Sequence, residues 1–130
     1  MPSARLRRKN FIPECTDEGV VIIPFGFTVN GTDDADGLSG DSLVSAAFSE
    51  AGEYLCTLRE QPAECFFGIA QVSNTADDVD MYATVDFSTV VSAGTFVVRT
   101  MTGATQTTPT DNLKVSGFLL VRKTTRKARR

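Results

Sequence analysis

A chain of 130 residues is long enough for one domain with a real core and too short for two of ordinary size. The absence of His and Trp excludes Ser-His-Asp and Cys-His catalytic centres and imidazole metal sites. The net charge is only -3, yet all 16 acids lie between Glu14 and Asp111, with only Arg59 and Arg99 among them. The sequence therefore predicts an acidic body between two basic ends.

The N-terminal segment is basic and lacks any pattern that would bury it. Arg5, Arg7, Arg8 and Lys9 lie within residues 1–10, which contain no acid, and no apolar stretch follows them as it would in a signal peptide. Residues 1–17 are therefore expected to form an arm. No stretch of the chain approaches the roughly 20 apolar residues of a transmembrane helix, so a membrane protein is not expected.

Alternating apolar and polar residues next predict a series of strands. The clearest case runs from Val79 to Phe87, where every odd-numbered residue is apolar and the even-numbered ones are mostly polar. Pro24 indicates an edge strand or a bulge, while Phe118 and Leu120 make the second face of the last strand apolar too. The predicted strands cover residues 20–29, 43–48, 53–59, 64–72, 79–87, 95–101 and 113–122.

Turn chemistry separates these strands, with Gly after Asn30, Asp36, Ala51, Ala93 and Thr102. No window of roughly 11 residues has a helical face, so any helix is expected to be one short turn near residues 74–79 or 87–92. The predicted fold is all-β: a single antiparallel β-sandwich or jelly roll of about seven to eight strands over residues 18–122, with extended basic N- and C-terminal arms at residues 1–17 and 123–130.

Two long loops are predicted, from Asn30 to Asp41 and from Thr102 to Asn112, and loops of that length are functional or mobile. The stretch from Asp33 to Asp41 is acidic enough to suggest calcium binding. Aligning Gly37 with the invariant glycine of a calcium loop puts Thr32 and Leu43 at the first and last ligand positions, where carboxylates belong. A solvated, turn-forming loop is favoured, although cation binding by it stays open.

No catalytic, cofactor-binding or metal-ligating residues are predicted. Cys15, Cys56 and Cys65 are an odd number without metal spacing, and we expect inert, partly buried thiols. Whether Cys56 and Cys65 pair stays open. Chance pairs of carboxylates are inevitable among 16 acids, and no glycine-rich phosphate loop occurs. We therefore expect neither an enzyme nor a cofactor.

The basic ends are the sharper feature, because they carry the residues predicted to bind a partner. An acidic body would be repelled by nucleic acid, and neither end has interleaved aromatics for stacking on bases, so nucleic acid is not the expected partner. Acidic surfaces of neighbouring copies or of a protein lattice fit better, although solvated tails that aid solubility are an alternative. The predicted partner-binding residues are Arg5, Arg7, Arg8, Lys9, Arg122, Lys123, Arg126, Lys127, Arg129 and Arg130.

The stretch from Leu43 to Arg122 resembles the β-sandwich or jelly-roll cement (decoration) proteins of tailed-bacteriophage capsids. The resemblance is carried by a G-x-Y-x-x-x-L strand from Gly52, the strand from Cys65 to Val72, a G-x-F-x-V strand from Gly94 with a Thr-rich loop after it, and a last apolar strand that ends in a basic tail. It implies a non-enzymatic virion protein that is made in the bacterial cytoplasm, binds the outer capsid surface and bridges major capsid protein subunits. Its implied partners are that protein and copies of itself, in a homo-oligomer of two or three chains.

Three alternatives remain open. Another phage structural role, in the tail, the baseplate or a head fibre, fits the same features. A glycan-binding sandwich would normally present exposed aromatics, and with no Trp and only Tyr54 and Tyr82, both in predicted strands, it is disfavoured. A nucleic-acid-associated protein inside the head would bind DNA in a strongly salt-dependent way.

Overall fold

The computed structural model describes residues 19–30, 32–73, 80–109 and 112–123. The predicted arm at residues 1–17, the tail beyond Lys123 and the possible helix at residues 74–79 lie outside them. Within the described ranges the elements are β1 (Val20–Asn30), β2 (Asp33–Ser39), β3 (Leu43–Glu50), β4 (Glu53–Leu58), β5 (Glu64–Val72), β6 (Met81–Asp86), α1 (Val90–Ala93), β7 (Thr95–Thr102), β8 (Thr105–Gln106) and β9 (Leu113–Arg122).

The predicted all-β class is confirmed. One sheet has the strand order β2-β1-β9-β5, and the other has β3-β4-β7-β6 with the short β8 beside β7. All described pairings are antiparallel. We call the sheet that contains β1 the first sheet and the sheet that contains β4 the second sheet. The single helix among the described residues, α1, is four residues long and overlaps the predicted turn at 87–92.

The core lies between the two sheets. Phe25, Phe27 and Val29 of β1 point inward from the first sheet, and Tyr54 and Phe96 point inward from the second. The rings of Phe25 and Phe96 meet across the sandwich with centroids 4.8 Å apart. Burying aromatic side chains of this size provides much of the hydrophobic stabilisation of a domain this small.

The acidic stretch predicted as a loop is instead the edge strand β2. Thr28 of β1 pairs with Asp36, and the register shifts on either side of that pair. Six of the seven β2 residues are exposed, so the strand buries no apolar face that a sequence pattern could show. One side chain ties it to β3, because the Asp34 carboxylate accepts a hydrogen bond of 2.8 Å from the Phe48 amide.

Pro24 lies in β1, which is an inner strand of the first sheet, so the prediction that Pro24 marks an edge strand is wrong. β1 is flanked by β9 over its whole length, but β2 pairs only from Gly26 onward. At Pro24 the strand therefore has one paired neighbour, and the missing amide hydrogen costs no ladder bond on the unpaired side. The Pro24 carbonyl accepts a hydrogen bond of 2.6 Å from the Ser42 hydroxyl.

The second predicted loop, after Thr102, is partly ordered by pairing and by threonine contacts. β7 turns through Gly103 into β8, and the Thr100 hydroxyl donates to the Thr107 carbonyl at 2.6 Å. The Thr100 amide donates to the Gly52 carbonyl at 2.8 Å. The start of this segment is thus packed against the β3–β4 turn rather than projecting from the body.

Candidate docking surfaces

The two predicted basic segments adjoin the same end of the sandwich. Val20, at the start of β1, is paired with Arg122, at the end of β9. Beyond that pair, the Lys123 amide donates a hydrogen bond of 3.1 Å to the Gly19 carbonyl. Residues 1–18 and 124–130 therefore attach to the body side by side. We call the surface around Gly19 and Lys123 the basic end.

Arg122, which the sequence grouped with the partner-binding cations, is the last residue of β9. It continues the strand because it pairs with Val20 on one side and with Glu64 on the other. Only 4% of its side chain is accessible. Its Nε donates to a Glu64 carboxylate oxygen, and its guanidinium lies 5.4 Å from the centre of the Phe66 ring. These contacts make Arg122 a packed residue of the body.

Lys123 is the other described member of the predicted set, and it is exposed. Its ammonium group lies 3.7 Å from a Glu60 carboxylate oxygen, with both side chains more than half accessible. A pair this exposed contributes little to stability, so the charge stays available at the surface. The remaining predicted residues, Arg5, Arg7, Arg8, Lys9, Arg126, Lys127, Arg129 and Arg130, lie outside the described part of the chain.

A further group of exposed carboxylates lies far from the basic end. The exposed side chains of Asp33 and Asp36 lie on β2, which pairs with the far end of β1 at Asn30. An 11-residue strand such as β1 is roughly 35 Å long. The body therefore has an acidic strand at one end of β1 and the attachment points of the basic segments at the other.

The outer side of the first sheet carries an apolar surface. Two rows of side chains cross its three long strands: Ile22, Leu120 and Phe67 form one row, and Pro24, Phe118 and Ile69 form the next. Phe67 and Phe118 are in contact, with ring centroids 6.1 Å apart. We call this surface the apolar face; it consists of Ile22, Pro24, Phe67, Ile69, Phe118 and Leu120.

The apolar face is accessible and borders two open grooves. Ile22, Phe67 and Ile69 are 43%, 45% and 47% exposed. A groove of about 530 Å³ runs from Ile69 and Phe118 toward Lys114. A second groove, of about 400 Å³, adjoins Ile22 and Pro24 and is bordered by Arg59 and Glu60. Contiguous apolar surface of this kind on a soluble domain usually marks a contact site.

The outer side of the second sheet is different, because charges occupy its centre. Arg99 of β7 lies opposite Glu53 of β4, and its Nε is 3.2 Å from the Glu53 carboxylate. A second guanidinium nitrogen of Arg99 lies 3.7 Å from Asp86 of β6. The ion pairs interrupt the apolar side chains there, so the two outer surfaces of the sandwich have distinct chemistry.

The described residues hold no group of three or more Cys, Asp or Glu side chains placed to bind a metal ion. Cys56 and Cys65 are free thiols, and Cys15 lies outside the described ranges. Burial raises the pKa of the Cys56 thiol to about 12 and that of the Tyr54 hydroxyl to about 12. Burial also raises the pKa of Cys65. All three groups are therefore neutral near pH 7.

The described part of the chain contains no helix long and apolar enough to cross a membrane. Comparison with models of known protein families, with curated proteins and with solved structures found no significant match for this chain.

The apolar face is not among the sites predicted from the sequence, although the sequence contains residues that indicate it. The second apolar side of β9, at Phe118 and Leu120, was visible as a departure from alternation. The adjoining run Phe66-Phe67-Gly68-Ile69 also lacks alternation, and the register of β5 against β9 shifts between Cys65 and Phe67. Only the register of β5 against β9 shows that these residues share one surface.

Proposed function

We propose that this protein is a non-enzymatic virion structural protein, a cement (decoration) protein that binds the outer surface of a phage capsid and bridges major capsid protein subunits. The observation that carries the proposal is the attachment of both basic segments at one end of a sandwich with an acidic strand at its other end. The type of particle comes from the resemblance of residues 43–122 to phage cement proteins.

The arrangement suits attachment to an acidic protein lattice. Four basic residues lie between Arg5 and Lys9, and five lie from Lys123 to the end of the sequence. Joined to the body side by side, the two segments can engage neighbouring subunits at once, and linked contacts of this kind multiply weak individual affinities. Opposite charge also steers docking and accelerates association.

The same charges disfavour DNA as the main partner. The described body has more acids than basic residues, and its β2 edge exposes Asp33 and Asp36. A polyanion would be repelled by this surface while it attracted the basic segments. An acidic protein surface could contact the basic end and leave the β2 edge facing away.

The test is binding of the purified full chain to empty shells of the major capsid protein from the same phage genome, measured by co-sedimentation. We expect saturable binding, and cryo-electron microscopy should show density at regular positions on the outer surface. A variant with Gln at Arg126, Lys127, Arg129 and Arg130 should lose most of this binding. Lys114→Gln, a single exposed cation of the body, is the control and should bind as the unsubstituted chain does.

Absence of binding to shells would overturn the cement proposal, and undiminished binding of the tail variant would overturn the role of the basic residues. Binding to purified tails or baseplates instead of shells would support the alternative of another phage structural module. Retention on DNA at low salt that falls steeply with added salt would support a role inside the head.

A further inference from the structure

We infer that the apolar face is the contact between two copies of this chain, which stack their first sheets against each other in a two-fold symmetric dimer. The inference deepens the proposed function, on which it rests for its biological setting, because it names the surface that joins one copy to the next. Lys123 borders the same groove as Ile22 and Pro24, so the basic end of each copy lies beside this contact.

The face has the shape that such a contact requires. It lies on three adjacent antiparallel strands, so its rows form a nearly continuous pleated surface rather than isolated side chains. Sheets pack face to face when their side chains interdigitate, as the two sheets of this sandwich already do. A two-fold axis through the face would bring each row onto the same surface of the second copy, which is the self-complementary contact of a symmetric dimer.

The exposed area matches what a dimer needs. Ile22, Phe67 and Ile69 of the apolar face are 43%, 45% and 47% exposed, and the adjoining Phe66 of β5 is 45% exposed. Since each of these side chains offers on the order of 200 Å², and half-buried neighbours add to them, the apolar surface totals roughly 500 Å². A stable interface takes about 800 Å² from each partner, of which about 65% is apolar in homodimers. The face therefore supplies the apolar part, and its polar border supplies the rest.

Charge favours a second copy at this face over contact elsewhere on the body. The described charges around the face have both signs: Arg122 lies beside Glu64, Lys123 lies beside Glu60, Asp41 and Arg59 border the second groove, and Lys114 lies along the first. The exposed acids of β2 and the Glu53–Arg99–Asp86 cluster lie on other surfaces. Two acidic bodies can therefore meet at the apolar face without bringing a surplus of carboxylates together.

The test is the mass of the full chain in solution, measured by light scattering after size-exclusion chromatography and by sedimentation at roughly 100 μM, well above micromolar dissociation constants. We expect a dimer. Ile69→Glu and Ile22→Glu each place a carboxylate within the face and should raise the dissociation constant at least ~30-fold. Val44→Glu, at a 53% exposed position on β3, is the matched control and should leave the dimer intact. Circular dichroism checks that each variant is folded.

A monomer would overturn the inference, since the face would then be covered by residues 1–18 of the same chain or by a different protein. An assembly of any other size, or a dimer that survives both face substitutions, would also overturn it. These measurements need no capsid shells. A dimer that fails to bind shells would uphold the inference while refuting the proposed function, and a monomer that binds shells would do the reverse.

Discussion

Arg122 and Glu64 face each other across the paired ends of β9 and β5, and the guanidinium is almost fully buried while half of the Glu64 side chain is accessible. Removing the acid would leave a buried cation without this carboxylate. Glu64→Ala should lower the free energy of unfolding by about 1–3 kcal/mol, the range for hydrogen bonds to charged groups. Chemical denaturation followed by circular dichroism measures the change.

Glu60→Ala is the control for that measurement, because the Glu60–Lys123 pair is exposed on both sides. Its loss should cost less than about 1 kcal/mol. Equal losses for the two variants would contradict a larger contribution to stability from the buried Arg122–Glu64 pair.

Gly52 occupies a position that a side chain cannot share. Its φ is +76°, and an added Cβ would lie 2.8 Å from the backbone nitrogen and oxygen of Thr107. Gly52→Ala should therefore destabilise the fold by about 2–4 kcal/mol, from the left-handed conformation together with overpacking against backbone. Thermal and urea denaturation test this.

Gly103→Ala separates those two causes. Gly103 has a similar φ of +61°, but nothing lies within 4 Å of an added Cβ. Only the conformational cost of about 1–2 kcal/mol should remain. A Gly103 variant as unstable as the Gly52 variant would contradict the role assigned to the Thr107 contact.

Asp86 should titrate below the usual aspartate range. Its carboxylate accepts hydrogen bonds from the Ser88 hydroxyl at 2.7 Å and the Ser88 amide at 3.0 Å, which lower its pKa, and the Arg99 charge lowers it further. Ser88→Ala should raise this pKa toward the ordinary value, whereas Ser88→Thr keeps the hydroxyl and should keep it low. NMR titration of the carboxyl carbon gives each value.

The same shift fixes the sign of a pH effect. Because the folded pKa of Asp86 is lowered, its contribution to stability is present above the unfolded-state pKa and is lost as the pH falls through the folded value. Asp86→Asn should therefore reduce the loss of stability seen on acidification below about pH 4. An unchanged slope of stability against pH in that range would contradict the assignment.

The Cys56 thiol should resist alkylation in the folded protein. Burial raises its pKa to about 12, so the reactive thiolate is scarce at pH 8, and the residue is inaccessible. Peptide mapping after iodoacetamide treatment should find Cys56 unmodified in native protein and modified in urea. Modification of Cys56 under native conditions as fast as in urea would show that the core opens readily.

Strands that bury one face could be predicted from the sequence, because burial of one face makes apolar and polar residues alternate. Val79 to Phe87 was predicted as a strand, and β6 lies within that stretch. β2 was missed because its exposed, acidic side chains contribute nothing to the core and its backbone pairing with β1 alone defines it. The location of Pro24 in an inner strand was equally out of reach, since the length over which β2 pairs is a property of the assembled sheet.

The candidate surfaces were predicted less well than the fold. The separation of charge along the chain was plain from the sequence, but the closeness of the two basic segments' attachment points, Gly19 and Lys123, depends on the pairing of β1 with β9. Arg122 could not be distinguished from its basic neighbours because only the β5 partner reveals its burial. The apolar face requires the register of three strands, two of them more than 90 positions apart in the sequence.

The hydrogen bond between Lys123 and Gly19 also shows that the first and last described residues of the body are neighbours in space. A peptide bond from residue 130 to residue 1 would connect β9 back to β1 through residues 124–130 and 1–18. The fold therefore need not depend on which strand comes first in the sequence. A circular permutant opened in the exposed turn between Gly103 and Ala104 should assemble the same two sheets. Its new ends would lie in the β7–β8 hairpin, and the former ends would be joined in an internal basic loop that connects β9 to β1.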